Sequence, residues 1–169
     1  MLRSLALTSA ATLSLFCAAC GGDDKDDPQD PAQIEYTRAN VTGTHPVLMT
    51  MVIPGISDAG EPIQTHLVLT EDASTRNGLT VALPPLDCDL TATMTGEYTF
   101  TMKPGTCTFP IPEDPEVECS FSLDITGGTG GRASAGAAVG ATLTGNYNIN
   151  CTSEGLPFAL PVTVTLAGT

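Results

Sequence analysis

The residues of this chain with the most definite chemistry are its cysteines. Four of them lie beyond the middle of the chain: Cys88, Cys107, Cys119 and Cys151. Thiols of this kind pair as disulfides in exported proteins or hold zinc. Zinc sites take cysteines in closely spaced pairs or with histidines nearby. These four form no such pair, and neither His45 nor His66 lies near a cysteine. The even count therefore predicts two disulfides and no metal site.

Sequence spacing leaves the pairing of these cysteines open. Cys107 and Cys119 flank a segment rich in proline and acidic residues, so a bridge between them could join neighbouring strands and leave Cys88 with Cys151. This is the pairing that we favour, and its shorter loop would contribute about 3 kcal/mol in the chain-entropy description. The alternative joins Cys88 to Cys107 and Cys119 to Cys151, because connectivity does not follow from spacing.

Other candidate motifs do not predict catalysis. Glycines at 127, 128, 130 and 131 are followed by Arg132 and Ala133, not by the Lys-Ser/Thr of a phosphate-binding loop, so we expect a flexible loop between strands. His45 precedes Pro46 at a strand start and His66 lies in an alternating segment, which favours surface positions for both. No Gly-x-Ser-x-Gly elbow occurs. The sequence therefore predicts no enzyme, no catalytic residue and no cofactor.

The densest group of acidic residues in the folded part is interpreted as solvated surface and not as a catalytic or metal site. It comprises Glu113, Asp114, Glu116 and Glu118. Paired carboxylates serve glycosidases and calcium sites, but both need a defined separation that a segment with three prolines does not provide. The acids are spread along the chain, so a solvated acidic surface is expected.

The elements that would position these residues are β-strands. From residue 34 onward apolar residues alternate with threonine, as in the series Leu90, Ala92 and Met94, and Gly- or Pro-containing turns separate the runs. Threonine is β-branched and suits a pleated, half-exposed face. The chain is therefore predicted to be all-β, an antiparallel sandwich or barrel of about eight or nine strands. All four cysteines share the parity of the inward residues.

The N-terminus carries an export signal. Arg3 precedes an apolar stretch over residues 5–19, and the small residues Ala18 and Ala19 come directly before Cys20. This ending resembles the lipobox of bacterial lipoproteins. The resemblance implies cleavage after Ala19, acylation of Cys20 and, with Gly21 next, residence at the outer membrane. An ordinary secretory signal is the alternative, and it would also be cut after Ala19.

The expected organisation is a signal peptide over residues 1–19, an acylated and disordered acidic tether over 20–33, and one β domain over 34–169. The net charge of −13 makes nucleic acid an improbable partner and repels anionic lipids. Membrane attachment would then depend on the acyl chains alone.

Two functions fit this organisation. The first is a non-enzymatic binding or structural module that contacts another envelope protein. The alternative is a β-barrel that carries a small apolar ligand or lipid, in which inward methionines would form a deformable cavity: Met49, Met51, Met94 and Met102.

Overall fold

A computed structural model describes residues 35–55, 60–84, 86–109, 119–151 and 158–169. A short 3-10 helix (Arg38–Asn40) comes first, and nine strands follow it. The strands are β1 (Gly43–Val52), β2 (Ile63–Glu71), β3 (Gly78–Ala82), β4 (Asp87–Met94), β5 (Thr99–Met102), β6 (Gly105–Thr108), β7 (Cys119–Gly131), β8 (Gly140–Cys151) and β9 (Phe158–Gly168). The predicted all-β class and the number of strands are confirmed. The predicted signal peptide, Cys20 and the tether lie outside the described residues.

Antiparallel pairing closes the sheet on itself. Each of β1 to β4 pairs with the next strand, β4 pairs with both β5 and β6, and both of these pair with β7. β7, β8 and β9 continue the series, and β9 pairs with β1. Because β5 and β6 follow one another along β7, they form one position in the wall. The result is an up-and-down barrel with eight positions, the barrel among the two predicted architectures.

The inward side chains of alternate strand residues fill the interior of this barrel. Inward residues such as Leu90, Ala92 and Met94 are at most 2% exposed, and the same core contains Met49 and Met102. The outward positions between them carry threonines such as Thr91 and Thr93. A closed sheet of eight strands leaves an interior just wide enough for side chains to fill. Most of the methionines proposed for a cavity therefore pack as core, and Met51 is half-buried against it.

The glycine run lies within a strand. The prediction of a flexible loop at 127–131 is wrong, because these residues form the second half of β7 and pair with β5 and β8. Gly130 lies against the ring of Phe100, which is 1% exposed, so a side chain at 130 would overlap that ring. Glycine at this position leaves the space that the Phe100 ring occupies in the core.

Register decides the disulfide pairing. The bridges are Cys88–Cys107 and Cys119–Cys151, each with a Cα–Cα distance of 4.0 Å. The favoured pairing of Cys107 with Cys119 and of Cys88 with Cys151 is therefore wrong, and the alternative holds. The physical reason is that Cys107 faces Leu123 across β6 and β7, whereas Cys88 is its direct partner on β4. Cys119 in turn faces Cys151 on β8.

Candidate functional site

Up-and-down connectivity gives the barrel two different ends. One end, which we call the plug end, holds residues 35–42 and the connections β2–β3, β4–β5 and β7–β8. The other, which we call the disulfide end, holds the connections β1–β2, β3–β4, β6–β7 and β8–β9. The bridge between Cys119 and Cys151 joins the first residue of β7 to the last residue of β8 at the disulfide end.

The N-terminal segment closes the plug end. Val41 is completely buried, and its carbonyl oxygen is 2.8 Å from Nε2 of His45. Arg38 donates from Nη1 to the carbonyl oxygens of Asp72, Thr75 and Gly78 at 2.8, 3.2 and 3.5 Å. It also forms an ion pair with Glu71 at 3.0 Å. His45 is thus a structural residue of this plug.

The β2–β3 connection, whose carbonyl oxygens accept hydrogen bonds from Arg38, is also held by hydrogen bonds within itself. The side-chain oxygens of Asp72 accept hydrogen bonds from the Ser74 hydroxyl, the Ser74 amide and the Thr75 hydroxyl, at 2.6 to 2.8 Å. The hydrogen bonds from Ser74, followed by that from Thr75, lower the pKa of Asp72 from 3.8 to about 2. The charged carboxylate therefore helps to hold the turn.

Three aromatic side chains meet inside the disulfide end. Phe109, Phe121 and Tyr147, which we call the aromatic trio, follow β6 or lie on β7 and β8, and each is half-buried. The Tyr147 ring lies edge-on to Phe109, with centroids 5.7 Å apart, and stacks on Phe121 at 6.2 Å. Desolvation raises the pKa of Tyr147. Among the residues that the structure describes, none hydrogen-bonds the Tyr147 hydroxyl.

Exposed apolar side chains collect at the same end. Among the described residues, the large hydrophobic side chains that are exposed are Val52 (40%), Ile63 (53%) and Phe158 (62%). These three, which we call the apolar rim, stand at the end of β1 and at the starts of β2 and β9. Ile149 faces both Phe121 on β7 and Phe158 on β9, so the aromatic trio extends through Ile149 to Phe158.

Charge also divides between the two ends. Among the described residues of the disulfide end, the exposed acids are Glu61, before β2, and Asp87, at the start of β4. No basic residue occurs in the connections of that end. The described arginines belong to the plug end: Arg38 and Arg76 form ion pairs there, and Arg132 follows β7. Lys103 lies between β5 and β6 within the wall. The described arginines therefore lie away from the disulfide end.

The other residues considered from the sequence do not form a site. His66 is exposed on the outer face of β2, beside a shallow depression of about 420 Å³ that Leu48, Gln64 and Thr169 also line. Within the described ranges, no group of three His, Cys, Asp or Glu side chains is arranged to hold a metal ion. Nor does that part of the chain include a helix of the length and apolarity that crossing a bilayer requires.

Sequence reasoning did not identify the aromatic trio as a unit. The usable signal was parity: Phe109 and Phe121 each stand two residues from an inward cysteine, and Tyr147 shares the parity of Cys151. Their meeting depends on the register of β7 against β8, which sequence spacing does not give. What this arrangement offers chemically is apolar and aromatic contact. No protein-family model, curated protein or solved structure matches this chain.

Proposed function

We propose that this chain is a bacterial envelope lipoprotein, anchored through Cys20 at the outer membrane, whose barrel is a non-enzymatic module that binds another envelope protein at its disulfide end. The observation that carries the binding proposal is the position of the apolar rim. Contiguous exposed apolar patches are typical of interaction sites, and Phe158, which is 62% exposed, extends the aromatic trio through Ile149. In the described residues Val52, Ile63 and Phe158 all lie at one end.

The packed interior favours this location over a ligand inside the barrel. Core side chains such as Leu90, Leu123 and Leu143 are at most 1% exposed. An end of the barrel, in contrast, offers side chains that already face solvent. The described part of the chain begins at the plug end, where residues 35–42 lie.

Site-specific photo-crosslinking tests the binding proposal. A benzophenone amino acid replaces Phe158 at the apolar rim or, as the control, exposed Ser134 in the β7–β8 connection at the plug end. In the bacterium that makes this protein, we expect one envelope protein to be crosslinked from position 158 and not from 134. Equal products from both positions, or none from 158, would contradict binding at the disulfide end.

A separate measurement tests the anchor. The membrane-extracted chain should begin at Cys20 and carry acyl groups in its intact mass, and Cys20→Ala should release the protein from the membrane fraction. Density-gradient separation of the two membranes tests the outer-membrane location that Gly21 suggests. A mature mass without acyl groups would refute the lipoprotein assignment and leave the crosslinking result standing.

A further inference from the structure

We infer that the depression beside Arg132, at the plug end, binds a small monocarboxylate whose charged group meets the Arg132 guanidinium. This site is separate from the disulfide end and does not depend on the proposed function. Two observations carry the inference. The guanidinium has no acceptor, and it borders a depression that hydroxyl groups and small side chains line.

The missing acceptor distinguishes Arg132 from the other described arginines. Arg38 forms an ion pair with Glu71, and Arg76 forms one with Glu35. In the part of the chain that the structure describes, the Arg132 side chain forms neither a hydrogen bond nor an ion pair, and its Nε is buried without a partner. The chain carries 19 acidic residues against six basic ones, so a scarcity of carboxylates does not explain this.

The acid of the neighbouring connection is already engaged. The backbone N–H of Arg132 donates to the Tyr98 carbonyl oxygen at 3.0 Å, which places Arg132 beside the β4–β5 connection. Glu97 in that connection accepts a hydrogen bond from Nδ2 of Asn40 at 2.9 Å through its Oε1. The two Nη nitrogens of Arg132 are not buried, unlike Nε. Their donors are therefore left for a ligand, because polar groups in folded proteins are normally hydrogen-bonded where water is partly excluded.

The depression itself has the size and the donors of a small-molecule site. Its volume is about 490 Å³, within the range of about 300–1,000 Å³ that is usual for ligand sites. The hydroxyls of Thr95 and Thr99 are 3.4 Å apart and share one proton between them, so one of the two keeps its own proton for an acceptor. The other lining residues bring a third hydroxyl, glycine backbone and small or apolar side chains: Thr129, Gly130, Gly131, Ala133, Ala138 and Phe100.

Charge selects a monocarboxylate among the possible anions. The planar guanidinium presents two Nη donors side by side, which matches the two oxygens of a carboxylate. Among the described residues that line the depression, Arg132 is the one charged side chain, so it balances a single negative charge. The net charge of −13 opposes anions of higher charge such as phosphate. The alanines and the edge of Phe100 would then contact a short apolar group of the ligand.

Nuclear magnetic resonance of the arginine Nε–H groups tests the inference on the purified protein. The sequence contains four arginines, so the Arg132 signal is resolved and is identified by its loss in Arg132→Gln. The probe is butyrate, with butyramide as its neutral counterpart and inorganic phosphate as the anion of higher charge. We expect butyrate to shift the Arg132 signal saturably, the Arg76 signal to stay in place, and added salt to weaken the effect. Butyramide and phosphate should bind at least about tenfold more weakly.

Matched variants locate the site, with the backbone amide signals of Thr129 and Gly131 as the readout. Arg132→Gln should weaken butyrate binding about tenfold or more, because it removes charged donors. Thr129→Val removes one hydroxyl at constant shape and should weaken binding about two- to fivefold. Thr142→Val is the control, since Thr142 faces Thr129 across β7 and β8 but does not line the depression. An unchanged circular dichroism spectrum shows that each barrel is intact.

Four results would overturn the inference. Equal shifts from butyrate and butyramide would show that the carboxylate is not recognised, and equal binding of phosphate would refute the choice of a monocarboxylate. Equal shifts at Arg76 and Arg132 would show attraction of anions to any arginine. Butyrate binding that survives Arg132→Gln, or no binding at all, would also refute the site. None of these results bears on crosslinking from position 158, so the proposed function stands or falls separately.

Discussion

Arg38 is expected to hold the plug end closed, and replacing it tests how the N-terminal segment is attached. The variant Arg38→Met keeps most of the apolar stem and removes the guanidinium. It removes the 2.8 Å hydrogen bond to the Asp72 carbonyl and two longer bonds to Thr75 and Gly78. It also removes the ion pair with Glu71 at 3.0 Å.

The size of the effect follows from these contacts. A hydrogen bond from a charged donor contributes about 1.5–3 kcal/mol. The two longer bonds share the same nitrogen and add little, and an ion pair whose Glu71 partner is 49% exposed contributes under about 1 kcal/mol. Water reaches part of the vacated site and replaces some of the loss. We therefore expect a free energy of unfolding lower by about 2 kcal/mol, or a Tm lower by about 4–8 °C.

The assay is urea unfolding followed by far-ultraviolet circular dichroism, with the disulfides intact. Arg76→Met is the matched control, because its ion pair with Glu35 is 3.7 Å long and both side chains are more than 60% exposed. That variant should change the free energy of unfolding by less than about 0.5 kcal/mol. If the two variants cost the same, burial of Val41 alone holds the plug and the argument from Arg38 is wrong.

Three further predictions concern stability. Because its folded pKa is about 2 against an ordinary value of 3.8, Asp72 contributes stability above pH 3.8 that is lost as the pH falls toward 2. Asp72→Asn should therefore flatten the fall of the urea unfolding midpoint over that pH range, and an unchanged slope would contradict this. Replacing Cys119 and Cys151 together by Ala opens a loop of sequence separation 32 and should lower the free energy of unfolding by about 3–4 kcal/mol. A non-reduced peptide map of the native chain should recover the Cys119–Cys151 pair, and a different pair would refute the register. Gly130→Ala overlaps a buried ring and should cost about 1–3 kcal/mol in thermal unfolding, whereas Gly60→Ala, with nothing within 4 Å, should be nearly neutral.

Local features of the fold were predictable because they depend on neighbours in sequence. The alternation of Leu90, Ala92 and Met94 with threonine indicated a strand with one buried face, and β4 has that pattern. Asn77-Gly78 indicated a turn, and Asn77 has the positive φ of 40° that such turns favour.

Features that depend on register or closure were not predictable. Barrel closure needs β1 to pair with β9. The paired residues Val47 on β1 and Gly168 on β9 come from opposite ends of the domain's sequence. The disulfide partners of Cys107 and Cys119 depend on which residue faces each across the wall, and a shift along a strand would change both. The Gly127–Gly131 stretch carries the composition of a loop, but its pairing with two neighbouring strands makes it part of the wall.

The charge of the disulfide end shows how topology changes the meaning of composition. Along the sequence the acids look evenly spread, and a uniformly solvated surface was the expected result. An up-and-down barrel, however, sends alternate connections to opposite ends. The connections of the plug end carry Arg76 and Arg132, while the exposed described acids Glu61 and Asp87 stand at the disulfide end, whose connections contain no basic residue. The described arginines are thus separated from the end that exposes Val52, Ile63 and Phe158, and spacing along the sequence does not show this separation because it depends on which end each connection reaches.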